Sequence, residues 1–214
     1  MSDDPILKAL ELLERSFNHP APPTFLEKIK DYEELVSTWN EYASLMSSID
    51  ISRAFSNHVA DSLSLVPYIY PLTQRGYVYL DIGTGGGFPA LPVKLFAPNI
   101  ETLLIERSAR KAAFIRKIVS SLKLANIDVI EDSFSASIAL PRRFVLTARA
   151  IEKPSIFLQQ LAKILEHPSV FLRQTGPSPP SLPPGLEERP IDDEFDHEKL
   201  RRGRLWKVTI KKIS

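Results

Sequence analysis

The sequence is 214 residues long, contains no cysteine, and has a formal net charge of +1 from 27 basic and 26 acidic residues. These values fit a globular chain with a sizeable core, and they exclude disulfides, thiolate metal sites and a cysteine nucleophile. The start, MSDDPILKAL, lacks the pattern of a signal peptide, and no run approaches the roughly 20 apolar residues of a membrane span, so we expect a cytoplasmic protein.

The first 70 residues carry apolar side chains at helical spacing. We therefore predict an N-terminal helical extension over 1–70. Its last helix contains the stretch NHVADS, in which His58 and Asp61 lie one turn apart. We interpret those two residues as a structural hydrogen-bonded pair, the more frequent role of such a histidine. The predicted helices cover residues 5–17, 24–46 and 55–69.

From Tyr77 onward, short apolar runs alternate with helical patterns, which predicts an α/β fold with a doubly wound, mostly parallel sheet over 71–214. The tail that begins at Arg204 alternates polar and apolar residues, and we expect it to close the sheet as an antiparallel strand. The other predicted strands cover residues 77–82, 102–106, 127–131, 144–149 and 170–174. The predicted helices between them cover residues 89–97, 108–124 and 154–166.

A proline-rich stretch, GPSPPSLPPGLEERP, holds six prolines in residues 177–190. Proline cannot donate a hydrogen bond to a neighbouring strand, so it is disfavoured inside a sheet. We therefore predict that residues 177–198 form a long loop or a projecting arm.

The stretch LDIGTGGGFPALP, residues 80–92, predicts a ligand-binding turn between a strand and a helix. The strand ends at Asp81, and Gly83, Gly85 and Gly87 follow at alternate positions. Glycine lets backbone N–H groups come close to a ligand. The dinucleotide fingerprint requires a third glycine where Phe88 stands, and the phosphate-loop signature fails because no Gly-Lys-Ser/Thr follows.

The ligand that remains is S-adenosylmethionine, which needs space for its amino-acid moiety beside the turn and a carboxylate for its ribose. Glu106 ends the second strand and can accept hydrogen bonds from both ribose hydroxyls. The turn after the third strand lies against the adenine in such folds, so Phe134 is a candidate contact. An ordinary glycine turn, with a glutamate at a strand end by coincidence, is the alternative.

Four segments taken together resemble the bacterial 16S ribosomal RNA guanine methyltransferases, the glucose-inhibited division protein B family. The segments are LDIGTGGGFPALPVKLFAP, ERSARKAAFIRKI, LTARAIEKPS and HVADSL, and the match extends over residues 35–160. The chain differs where the family has Phe-Pro-Gly, which is Phe88-Pro89-Ala90 here, and Asn57 replaces an arginine. The resemblance implies a class I (Rossmann-like) S-adenosylmethionine-dependent methyltransferase with a seven-stranded sheet. It also implies a monomer that methylates nitrogen 7 of a guanine in small-subunit ribosomal RNA.

The resemblance also assigns site residues. It places Ser133, Phe134 and Ser135 on the adenine side and Arg149 at the active-site mouth, where Arg149 is our candidate for positioning the reactants. Nitrogen 7 of guanine has an available lone pair, so no general base is required. The full set of predicted cofactor contacts is Asp81, Gly83, Gly85, Gly87, Phe88, Glu106, Ser133, Phe134, Ser135 and Arg149.

The helix after the second strand is strongly basic and has no acidic residue from Arg107 to Lys123. We predict that it contacts RNA phosphates, although a solvated charged face is the usual explanation of such a pattern. The predicted RNA contacts are Arg107, Arg110, Lys111, Arg116 and Lys117. Residues that would extend this surface are Arg142, Arg143, Arg201, Arg202, Arg204, Lys207, Lys211 and Lys212.

Two other functions stay open at this stage. The first is a methyltransferase of the same fold that acts on a small molecule or a protein. The second is a non-catalytic protein that binds RNA or the ribosome.

Overall fold

A seven-stranded sheet organises the chain. The computed structural model describes residues 4–45, 51–135, 137–149, 151, 153–165, 168–176 and 180–210. Its helices are α1 (Pro5–Phe17), α2 (Phe25–Ala43), α3 (Ile51–Leu63), α4 (Val66–Thr73), α5 (Ala90–Phe96), α6 (Ala109–Ser121), α7 (Pro154–Ile164) and α8 (Glu194–His197). Its strands are β1 (Val78–Ile82), β2 (Thr102–Ile105), β3 (Ile127–Ile130), β4 (Phe144–Ala148), β5 (Val170–Thr175), β6 (Leu186–Ile191) and β7 (Arg204–Ile210).

The strand order is β3-β2-β1-β4-β5-β7-β6. The pairs among β1 to β5 are parallel, whereas β7 pairs antiparallel with both β5 and β6. The chain moves outward from β1 to β3 and then crosses to the other side of β1 with β4. In open α/β sheets, ligands bind at the carboxyl ends of the strands where the order reverses. The predicted α/β class and mostly parallel sheet are confirmed.

Both faces of the sheet are covered, which is why its central strands are apolar runs rather than alternating ones. Every residue of β1 and of β4 is buried. Successive residues of β1 enter different cores: Tyr79 packs with the N-terminal helices, α5 and α6, and Leu80 packs with α7. None of the described helices is long and apolar enough to cross a membrane.

The described part of the N-terminal region, residues 4–45 and 51–73, contains four helices. The helix predicted over residues 55–69 is divided in two, because α3 ends at Leu63 and α4 starts at Val66 with Pro67 in its first turn. Buried residues of α1 to α4 belong to the same apolar core as those of α5 and α6. The boundary at residue 70 stays a prediction.

The proline-rich segment contributes an edge strand, so the prediction of a loop or arm throughout 177–198 is wrong for β6 and for α8. In β6, Pro190 pairs with Trp206 of β7. Proline is tolerated in β6 because β6 is an edge strand of the sheet. It pairs with β7 on one side only, and its other side needs no backbone hydrogen bonds.

Arg201, which we predicted on a basic surface, is buried instead. Its guanidinium lies 2.7 Å from Asp193 and 2.8 Å from Asp196, and it donates to the Ser64 carbonyl at 3.0 Å. These contacts join the segment around α8 to the end of α3. A buried arginine needs such partners, so Arg201 has a structural role and does not face solvent.

Candidate active site

A cavity of about 600 Å³ opens at the carboxyl ends of β1, β2 and β4. The segments that follow these three strands, together with the one that follows β3, form its floor and sides. The N-terminal helical region and α7 supply further walls. Principal lining residues are Gly83 to Gly86, Phe88, Glu106, Arg107, Ser108, Lys111, Asp132, Ser133, Phe134, Arg149, Leu45, His58, Ile156 and Phe157.

The glycine turn contains two kinds of glycine. Gly85 has φ +57° and lines the cavity, and a Cβ built on it would meet no atom closer than 3.8 Å. Gly87 has φ +99°, and a Cβ there would lie 2.4 Å from Leu91 Cδ1 and 2.6 Å from Tyr32 Oη. Gly85 therefore keeps space open for a ligand, whereas Gly87 permits close packing behind the turn.

Glu106 anchors this turn to the end of β2. The side chain is only 5% exposed, and its two oxygens accept hydrogen bonds from the backbone N–H groups of Gly85 and Ser108, each at 2.8 Å. A carboxylate oxygen can accept a second hydrogen bond. Glu106 therefore has a fixed orientation and spare acceptor capacity at the cavity wall.

Asp81 lies beneath the cavity and is not among its lining residues. It is completely buried, and Thr147 donates a hydrogen bond of 2.5 Å to its Oδ1. Burial raises the pKa of Asp81 to about 7, because the charged form loses its hydration. Gly87 and Ser135 are likewise absent from the lining. The cofactor contacts of all ten predicted residues stay predictions.

Arg149 joins His58 and Asp61 at the mouth of the cavity. Its Nη2 lies 2.7 Å from Asp61 Oδ2 and 3.2 Å from His58 Nδ1. The pair we predicted between His58 and Asp61 therefore takes another form, in which both residues contact Arg149. Since a guanidinium can only donate, His58 Nδ1 accepts and the ring proton is on Nε2. Burial and the nearby charges of Arg149 and Arg202 lower the pKa of His58 to about 4.

Asp61 connects three distant parts of the chain. Its Oδ1 accepts hydrogen bonds from Gln174 Nε2 at 2.9 Å and from the Arg202 backbone N–H at 2.7 Å. Both partners are more than 100 residues away in sequence, so no local pattern could have identified them. The result is a guanidinium at Arg149 that is held from behind by a carboxylate only 1% exposed.

Arg149 also presents an unused donor. Its Nη1 is buried and has no hydrogen-bond partner within the described parts of the chain. Leaving a buried donor unpaired costs about 1–3 kcal/mol or more for a charged group. Arg149, which lines the cavity, therefore has hydrogen-bonding capacity that the described residues do not use.

Aromatic residues form two walls of the cavity. On one side Phe134 packs on Phe157 of α7, with ring centroids 5.4 Å apart and the rings tilted by 46°. On the other side Phe88 packs on Tyr32 and His58, at centroid distances of 5.4 and 5.1 Å. The sequence did not indicate Phe157 or Tyr32, because the apolar spacing of a helix marks both only as core residues.

The basic helix α6 does not present one uniform surface. Arg107 and Lys111 line the cavity, and the Arg110 guanidinium donates to the Tyr42 carbonyl at 3.5 Å. Arg116 is paired with Glu131 at 2.7 Å, which reduces its positive potential, and Lys117 is exposed. The RNA contacts of these residues stay predictions. Of the further basic residues, Arg142 and Arg143 are exposed, and Lys211 and Lys212 lie outside the described residues.

The family model described as rRNA small subunit methyltransferase G matches residues 25–179. This match covers the glycine turn, Glu106 and Arg149. The chain belongs to the rRNA small subunit methyltransferase G family.

Individual relatives carry the same family name. The chain is 31% identical over 134 residues to Ribosomal RNA small subunit methyltransferase G of Chromobacterium violaceum, which is 63% of this chain and 62% of that protein. It is 29% identical over 141 residues to the same protein of Neisseria gonorrhoeae, which is 66% of each chain. The matches therefore span slightly less than two thirds of these relatives' own lengths.

Solved structures support the fold. The methyltransferase PaMTH1 of Podospora anserina, bound to SAH, superposes with a TM-score of 0.59 at 12% identity, over 99% of this chain and 97% of that one. An O-methyltransferase of Klebsiella pneumoniae gives a TM-score of 0.55 at 14% identity, over 96% and 97%. At these identities the likeness shows the fold alone, a Rossmann-like methyltransferase fold.

Proposed function

We propose that this protein transfers a methyl group from S-adenosylmethionine to nitrogen 7 of a guanine in small-subunit (16S) ribosomal RNA. The observation that carries the proposal is the family match over residues 25–179, which contains every residue of the cavity floor. The relatives are named as methyltransferases of this RNA, and the cavity supplies suitable chemistry.

The residues of the cavity fit the proposed cofactor. Glu106 is fixed by two backbone hydrogen bonds and offers acceptors for ribose hydroxyls. Phe134 and Phe157 provide an apolar wall for a purine ring, and the open side of Gly85 leaves space beside the turn. The positive charge of Arg149 at the cavity wall suits a carboxylate. When bound, S-adenosylmethionine supplies an electrophilic methyl group on a sulfonium.

The remaining work of the site is positioning. Arg149 cannot swing freely, because Asp61 and His58 hold its Nη2. His58 is neutral near pH 7, since its pKa is about 4, so it adds no positive charge beside Arg149. A nucleophile with an available lone pair needs alignment at near-attack distance rather than a base, and effective alignment is worth several orders of magnitude in rate.

Methyl transfer from labelled S-adenosylmethionine tests the proposal. The substrates are small ribosomal subunits from a deletion strain and the RNA extracted from them. We expect label at nitrogen 7 of a guanine, and none with Gly85→Arg, which fills the cavity. Gly76→Arg is the matched control. Gly76 also has a positive φ (+80°), but a Cβ built on it would meet no atom within 4 Å, and Gly76 lies outside the cavity.

The outcomes distinguish the other functions. Label that enters protein or small molecules but never RNA would indicate a different substrate for the same fold. Absence of S-adenosylmethionine binding in calorimetry, together with RNA binding, would indicate a non-catalytic RNA-binding protein. Either result would refute the proposed function.

A further inference from the structure

An aromatic side chain stands exposed beside the cavity. Four large hydrophobic residues of the described chain are exposed, and Tyr42, near the end of α2, is the most exposed at 60%. Leu45, three residues further on, lines the cavity and lies over the glycine turn, where its Cβ is 3.5 Å from a Cβ built on Gly86. Tyr42 therefore lies in the last turn of α2, three residues before a residue of the cavity wall.

The position of Tyr42 is fixed by its neighbours. Its ring makes an edge contact with Trp39 at a centroid distance of 5.8 Å, and Trp39 in turn packs on buried Phe114 of α6 at 5.9 Å. The backbone carbonyl of Tyr42 accepts a hydrogen bond from Arg110. A ring held in this way loses little conformational entropy when a ligand stacks on it.

The surroundings of Tyr42 are basic on the side of α6, whereas its own helix carries Glu41 next to it in the sequence. Arg110 contacts it, and Arg107 and Lys111 connect this surface to the cavity that they line. No acidic residue occurs in the sequence from Arg107 to Lys123. A cationic surface with an exposed aromatic ring is the combination that binds single-stranded nucleic acid, because phosphates meet the charges and an unpaired base stacks on the ring.

We propose that Tyr42 is a stacking platform for an unpaired base next to the target guanine, with Arg110 and Lys111 contacting the adjoining phosphates. The inference rests on the proposed function and adds a substrate contact outside the catalytic cavity. Charge favours RNA over a protein partner. An ordinary protein interface would not supply enough acidic residues to pair with the cations of α6 next to Tyr42, whereas RNA phosphates would.

The test compares Tyr42→Ala, Tyr42→Trp and Leu26→Ala. Leu26 is the matched control, because it is 49% exposed on the same helix but lies about 24 Å from Tyr42 along the axis. We measure the KM for small subunits from the deletion strain, binding of extracted RNA, and calorimetric binding of S-adenosylmethionine. We expect Tyr42→Ala to weaken RNA binding and raise the KM about 5- to 150-fold, the usual effect of removing one stacked base contact.

The same experiment gives the other expected results. Tyr42→Trp should keep wild-type RNA affinity, Leu26→Ala should be unchanged, and binding of S-adenosylmethionine should stay within twofold for all three variants. Replacement of Tyr42 by photoreactive benzoyl-phenylalanine should give crosslinks to RNA.

Two results would overturn the inference and leave the proposed function intact: Tyr42→Ala that methylates and binds RNA as the wild type does, or crosslinks that enter only ribosomal protein. If the wild-type protein neither binds nor methylates RNA, the proposed function fails and this inference fails with it.

Discussion

Asp81 offers a direct test of the buried polar layer under the glycine turn. Its carboxyl group is fully buried and receives a hydrogen bond from Thr147, and its pKa is about 7 instead of 3.8. The folded protein therefore holds a proton that the unfolded chain has released between about pH 4 and pH 7. Because the folded pKa is raised, the stability that this proton contributes is fully present below about pH 4. It is lost progressively as pH rises from about 4 through 7.

The magnitude follows from linkage. A difference of about three pKa units corresponds to about 4 kcal/mol over the whole titration. Between pH 5 and pH 8 the wild-type protein should lose about 3 kcal/mol of unfolding free energy through Asp81 alone. Asp81→Asn cannot titrate, so this loss should disappear. Its amide nitrogen adds a cost of its own, but that cost does not depend on pH.

Urea unfolding at pH 5, 6, 7 and 8 measures the effect. From pH 5 to pH 8 the unfolding free energy of the wild type should fall by about 3 kcal/mol relative to that of Asp81→Asn. Asp128→Asn, at an exposed position of β3, removes the same charge and should show no such trend. A difference between Asp81→Asn and the wild type that stays constant across this range would refute the reasoning.

Three further predictions concern the same region. Gly87→Ala should lower the free energy of unfolding by about 2 kcal/mol or more, because the new Cβ would overlap two side chains. Gly76→Ala introduces only backbone strain and should lower it by about 1 kcal/mol. Equal losses in urea unfolding would contradict this. Asp61→Asn leaves the largely buried Arg149 guanidinium without its carboxylate and should lower the free energy of unfolding by about 3 kcal/mol, so a loss under 1 kcal/mol in urea unfolding would count against the ion pair. In an NMR titration the His58 ring should become charged only near pH 4, and a midpoint above pH 6 would be inconsistent with its contact to Arg149.

The elements that the sequence predicted well have local signals. The strand before the glycine turn, the acidic residue at the end of β2 and the α/β alternation all arise from patterns within a few residues or one repeating unit. Gly85 and Glu106 are 21 residues apart, and the strand–helix–strand unit brings them to a direct hydrogen bond. Such a unit has nearly fixed geometry, so sequence spacing was sufficient to pair them.

The proline-rich segment shows where local rules fail. Prolines indicate that a stretch cannot be an inner strand, but they leave open an edge strand that is supported from one side. Only β7, which follows in sequence, determines that Leu186–Ile191 pairs as a strand. Arg201 illustrates the same limit, because its basic character is compatible with a surface until Asp193, Asp196 and Ser64 surround it.

The sequence by itself determined the fold class, the position of the glycine turn and the family, because these depend on local periodicity and on short motifs in a fixed order. The tertiary structure decided how Arg149 is held, since Gln174 and Arg202 are each more than 100 residues from Asp61, which they contact. It also decided that Tyr42, an aromatic residue near the end of α2, remains exposed beside the cavity. Contacts between distant segments depend on the packing of whole elements, and that packing leaves no pattern in the neighbouring sequence.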